Sequence, residues 1–153
     1  MREDLTERFT GTPILDWIED IHYAIMDDHV SLWGLLSDAN AFGLDANERV
    51  EFVRRCLRSI FDAGAVPVVF TGKVTPIFER TDRFGTTRDE IVEAVIADWL
   101  ASGGSDLEWG AYPFTYQANF DPYGWKDETI SGKLSGREKM WLDLGRKAEE
   151  QGH

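Results

Sequence analysis

Residues 45–64 carry both of their own boundaries, and this constrains the fold more than any other feature of the chain. Asp45 is followed three residues later by Glu48, the spacing at which cap and third residue satisfy each other's backbone N–H at a helix start. Val50, Val53, Leu57, Ile60 and Phe61 recur at helical intervals, so one face is apolar. Gly64 suits the left-handed conformation that ends a helix. Residues 65–71, rich in Val and Phe, then read as a buried strand. Pro67 places that strand at a sheet edge or gives it an irregular start, because proline cannot donate to a ladder. A capped amphipathic helix feeding an apolar strand points to layered α+β architecture.

The remaining punctuation extends this pattern. Thr12 and Pro13 read as an N-cap with proline at the first helical position, followed by an apolar stripe at Ile14, Trp17, Ile18, Ile21 and Ile25. Ser31 opens a short helix with Leu32, Leu35 and Leu36 facing inward. Residues 72–85 are ambiguous, with Ile77 and Phe78 in either a short strand or a helical turn. Thr87 and Glu90 form a second capping box, for a helix carrying Ile91, Val95, Trp99 and Leu100 and stopping at Gly103-Gly104. The aromatic residues 107–116 read as a strand. Ser135 and Glu138 cap a last helix bearing Met140, Trp141 and Leu144. The expected fold is a mainly helical α+β single domain. It has about five helices and a small two- or three-stranded antiparallel sheet. Residues 1–12 form a tail, 13–116 the core, and 117–153 an aromatic loop and C-terminal helix on the same domain.

A length of 153 residues is enough for one real core. Cys56 is the only cysteine, so no internal disulfide forms and a reducing compartment fits. Residues 1–10 lack the apolar stretch of a signal peptide, and no apolar run approaches the roughly 18 residues of a membrane span. The expected location is the cytoplasm.

The formal net charge is −12. Residues 1–45 hold 10 acids and 2 bases (−8), and residues 46–153 hold 18 acids and 14 bases (−4). Such a charge repels nucleic acid and anionic membranes; it either serves solubility alone or suits a basic protein partner. Nothing in the sequence sets an oligomeric state.

No motif for catalysis, metal or cofactor emerges. His22, Asp27, Asp28 and His29 are ligand types, but a separation of five residues does not place His22 and Asp27 on one helical face. Cys56 falls on the inner side of its helix and reads as a small apolar core residue. No serine sits in a strand–turn–helix elbow. Asp106 and Glu108 share a strand face by alternation, as at a solvated edge. Gly103-Gly104 follows a helix instead of opening one, so it is no phosphate cradle.

The first helix is the candidate surface. At about 100° per residue, Asp16, Asp20 and Asp27 project within roughly 40° of one another, and Glu19 and Tyr23 flank them. The isoleucines point the opposite way. No Lys or Arg lies between Thr10 and Asn47 to relieve the charge. The stripe is either a solvated face or a docking face for a basic protein, with Tyr23 as an anchor. Asp38 and Asp45 extend the region if the second helix packs beside the first. Phe120, Tyr123 and Trp125 surround Pro122 and Gly124, either covering a core edge or meeting a partner. The candidate partner-binding residues are therefore Asp16, Glu19, Asp20, Tyr23, Asp27, Asp38, Tyr123 and Trp125. Arg54, Arg55 and Arg58 support an alternative, a winged-helix-like regulatory or adaptor module. Residues 65–72 and 107–116 would form its wing, and the three arginines would share one exposed face.

The order of these features carries a family resemblance. Asp28-His29-Val30-Ser31-Leu32-Trp33 opens a short helix. A capped helix stopping at Gly64, the apolar strand at 65–71, a helix ending near Trp99 and an aromatic strand around Trp109 follow. Over residues 14–115 the chain resembles small acidic bacterial proteins encoded beside polymorphic or contact-dependent toxins. The resemblance implies an immunity protein that binds a cognate toxin and blocks its active site. It assigns no residue a role, and residues 116–153 have no counterpart in it.

Overall fold

The computed structural model describes residues 1–26 and 28–121. They form helices α1 (Ile14–Asp20), α2 (Leu32–Ala41), α3 (Ala46–Asp62) and α4 (Arg88–Ala101), and strands β1 (Val30–Ser31), β2 (Val66–Phe70), β3 (Phe78–Arg80) and β4 (Pro113–Thr115). A 3-10 turn, Ile21–Ile25, continues α1, and another, Gln117–Asn119, follows β4. The class is α+β, as the punctuation requires. The sheet has four strands, one more than the sequence suggests, because Val30–Ser31 pairs with β4 before Ser31 caps α2. The described helices number four; the helix expected after Ser135 lies outside the described residues.

The core is built around α3, which packs against α1, α2 and α4. Its capping box is complete: the Glu48 amide donates to Asp45 Oδ1 at 2.8 Å, and the Asp45 amide donates to Glu48 Oε1 at 3.2 Å. Gly64 takes φ 101°, the left-handed stop. Phe52, Val53, Cys56, Leu57 and Ile60 are fully buried along its inner face.

Residues 1–12 are bound to this framework. Arg2 donates from Nε to Glu48 Oε2 at 3.0 Å and from Nη2 to Oε1 at 2.9 Å, and its amide also reaches Oε2. These bonds hold the Glu48 carboxyl down at about 2. Buried Glu7 accepts from the Phe9 and Thr10 amides and the Thr10 hydroxyl. Thr6 bridges Pro13. That bridge displaces the expected cap: Pro13 holds the cap position, and the Thr12 hydroxyl bonds Thr10 Oγ1 at 2.8 Å.

The sheet runs in the order β1-β4-β2-β3, antiparallel throughout. Of the two readings offered by Pro67, a sheet edge or an irregular start, interior placement of β2 rules out the edge. The Thr81 amide donates to the Pro67 carbonyl at 3.1 Å, one residue beyond the end of β3. Proline therefore forfeits only the return bond at the end of that ladder. The strand expected over 107–116 shrinks to residues 113–115. Ala111 turns back onto the Glu108 carbonyl, Gly110 takes φ 77°, and Tyr112 takes φ 55°. Phe114 is fully buried, its ring 5.3 Å from that of Phe61 across the layer between sheet and helices.

Candidate functional site

The outer face of α1 is built as its periodicity requires. Ile14 and Ile18 are buried, as are Ile21 and Ile25 in the following turn. Asp16, Glu19 and Asp20 are exposed on the other side, and no described basic residue pairs with them. The 3-10 turn winds three residues per turn, so Tyr23 follows Asp20 by one turn. Tyr23 is 60% exposed, and its ring lies 4.1 Å from that of His22. His22 Nδ1 bonds the Glu19 carbonyl at 2.9 Å. Asp27, Tyr123 and Trp125 lie outside the described residues.

Asp38 differs from Asp16, Glu19 and Asp20 in its burial. It lies on α2, half-buried, where the Trp17 indole Nε1 donates to its Oδ2 at 3.2 Å. Burial pushes its carboxyl up to about 6, against the opposing effect of that hydrogen bond. Nearby Cys56 is buried and free, and burial together with the Asp38 charge pushes its thiol well above its ordinary range. That environment is the reverse of the one that activates a thiol.

Of the α3 arginines that the winged-helix reading would present, Arg54 and Arg55 are occupied. Arg54 pairs with Glu93 at 2.8 Å and with Glu51 at 3.1 Å; Arg55 pairs with Glu51 and Glu3, both at 3.1 Å. Arg58 is exposed. β2 and β4 do pair, as the winged-helix reading requires, but two of the three cations it would present are half-buried in ion pairs. Asp106 and Glu108 stand in a loop and not on one strand face, because β4 starts later; Asp106 accepts from Arg49 at 2.8 Å.

Sequence reasoning missed one cluster. The His29 ring makes edge contacts with Phe70 (5.4 Å), Phe78 (5.4 Å) and Trp109 (6.0 Å). Its Nδ1 lies 2.8 Å from Asp28 Oδ1. The available signal was a histidine beside an acid and a tryptophan in a glycine turn. Only the sheet brings positions 29, 70, 78 and 109 together.

A cavity of about 180 Å³ lies between Val68, Phe84, Tyr112 and Phe114, smaller than the several hundred Å³ of typical small-molecule sites. At its rim the Tyr112 hydroxyl and Arg83 both donate to Asp98 Oδ2. Among the described residues, no group of three His, Cys, Asp or Glu side chains is placed to hold a metal, and no helix is long and apolar enough to cross a membrane. No family model, curated protein or solved structure matches the chain.

Proposed function

We propose that the protein is a non-catalytic inhibitor of the immunity type, which acts in the cytoplasm and neutralises a basic toxin by covering its active site. The supporting observation is the charge arrangement on α1. Asp16, Glu19 and Asp20 are exposed without a described partner, whereas Arg2, Arg49, Arg54, Arg55, Arg80, Arg83 and Arg88 each pair with an acid elsewhere. Like charges four residues apart, as at Asp16 and Asp20, weaken a helix by a few tenths of a kcal/mol. A row of free carboxylates on a rigid helix speeds encounter with a cationic surface and makes it salt-sensitive. Against a nuclease, such a row occupies the cleft that takes anionic substrate.

The test is calorimetric titration against the product of the adjacent gene, with wild type and an Asp16→Lys, Asp20→Lys double variant. Both substitutions are on exposed positions, so the fold is retained. Binding that weakens in the variant and with added salt supports the reading. No binding, or an affinity indifferent to both changes, overturns it.

A further inference from the structure

The cluster around His29 forms a second, chemically distinct surface. Trp109 is 69% exposed and Phe70 45% exposed, while Phe78 beneath them is buried. The His29 side chain is only 10% exposed and closes the base of the group. The Asp28 side chain beside it is 73% exposed. One carboxylate oxygen of Asp28 meets His29 Nδ1, and no described side chain or amide donates to the other. Isolated exposed aromatics need no explanation, but contiguous ones held in place mark contact sites.

These side chains are positioned in advance. The Asp28 carbonyl accepts from Thr115 Oγ1 at 2.8 Å and from Asn119 Nδ2 at 3.2 Å. The turn carrying Trp109 lies against the sheet: a Cβ added at Gly110 would sit 3.9 Å from the Phe70 ring. Little ordering is left for a guest to impose. Two exposed acids adjoin the cluster in the chain: Asp28 beside His29 and Glu108 beside Trp109. Arg80, on the same strand as Phe78, is occupied by Asp82 at 3.2 Å. An exposed indole and a free carboxylate oxygen, each in contact with the His29 ring, suit a planar cation, since guanidinium stacks on a ring while donating to a carboxylate.

We propose that the Phe70–Trp109 face, based on His29 and flanked by Asp28, receives an arginine side chain of the protein partner. This rests on the reading of the protein as an inhibitor of a basic protein; it adds an aromatic anchor separate from the α1 acids. Steering by α1 brings the partner in, and the anchor slows its release.

The test uses the full chain, a hexaarginine peptide as probe, and the indole N–H resonance of Trp109, assigned through Trp109→Phe. The expected result is a saturable shift of that resonance, stronger for hexaarginine than for hexalysine. Asp28→Asn and Trp109→Leu should each weaken peptide affinity about ten-fold. Both positions are exposed, and leucine keeps an apolar side chain while removing the ring. An unmoved Trp109 resonance, or affinity unaffected by Asp28→Asn, overturns the proposal. If the peptide binds and Asp16→Lys, Asp20→Lys weakens it while Trp109 stays unmoved, the anchor fails and the α1 reading stands. If the peptide does not bind at all, the anchor fails, and the α1 reading is decided by the titration against the adjacent gene product.

Discussion

Asp38→Asn is the substitution whose effect follows most directly from the structure. Burial against Trp17 and Cys56 raises the Asp38 carboxyl to about 6, from an ordinary aspartate value near 4. The folded state therefore holds this proton more tightly than the unfolded chain does. The stability linked to Asp38 is fully present below about pH 4 and is lost as pH rises through about 6. A difference of about 2 units corresponds to about 3 kcal/mol, the ceiling of the penalty at neutral pH. Residual solvent contact lowers the expected figure to between about 1 and 3 kcal/mol. Asparagine removes the charge and keeps an oxygen for the Trp17 indole, so it isolates the ionisation cost. Urea unfolding followed by tryptophan fluorescence, from about pH 3.5 to about pH 7.5, gives the difference between variant and wild type. Glu48 and Glu7 titrate in both proteins and cancel in that difference. Asp38→Asn should be more stable than wild type at about pH 7.5 and close to it at about pH 3.5. A difference that does not vary with pH, or a less stable variant at about pH 7.5, refutes the reasoning.

Other outcomes follow from the same structure. Glu48→Gln should lose stability at neutral pH, and the deficit should shrink as pH falls toward about 2, because the depressed carboxyl stabilises only while ionised; acid titration by circular dichroism reads this. Asp45→Ala removes half the capping box of α3 and should cost about 1 kcal/mol in chemical denaturation. Gly64→Ala forces a side chain into φ 101° and should cost about 1–2 kcal/mol, visible as a lower urea midpoint with unchanged slope. Leu57→Ala, in the fully buried face of α3, should cost about 2–5 kcal/mol, and thermal melting measures it.

What the sequence determined by itself was local. The Asp45–Glu48 capping box, the Thr87 and Ser31 caps and the Gly64 stop were legible, because each depends on residues at most a few positions apart. At Thr87 only the cap formed, since the Glu90 carboxylate accepts from the Thr87 hydroxyl and not from its backbone amide. The two-sidedness of α1 was legible for the same reason, since helical period alone separates its isoleucines from Asp16, Glu19 and Asp20. Tertiary structure decided whatever depends on which segments meet. Asp38 reads as surface in sequence and becomes a half-buried acid only because α1 brings Trp17 against α2. Arg54 and Arg55 read as free cations until Glu93 and Glu3 arrive from 39 and 52 residues away. The strand expected around Trp109 was lost because a ladder forms only where β1 and β2 offer partners, at residues 113–115. The same pairing leaves Trp109 exposed beside His29, a juxtaposition with no sequence period because four distant positions create it.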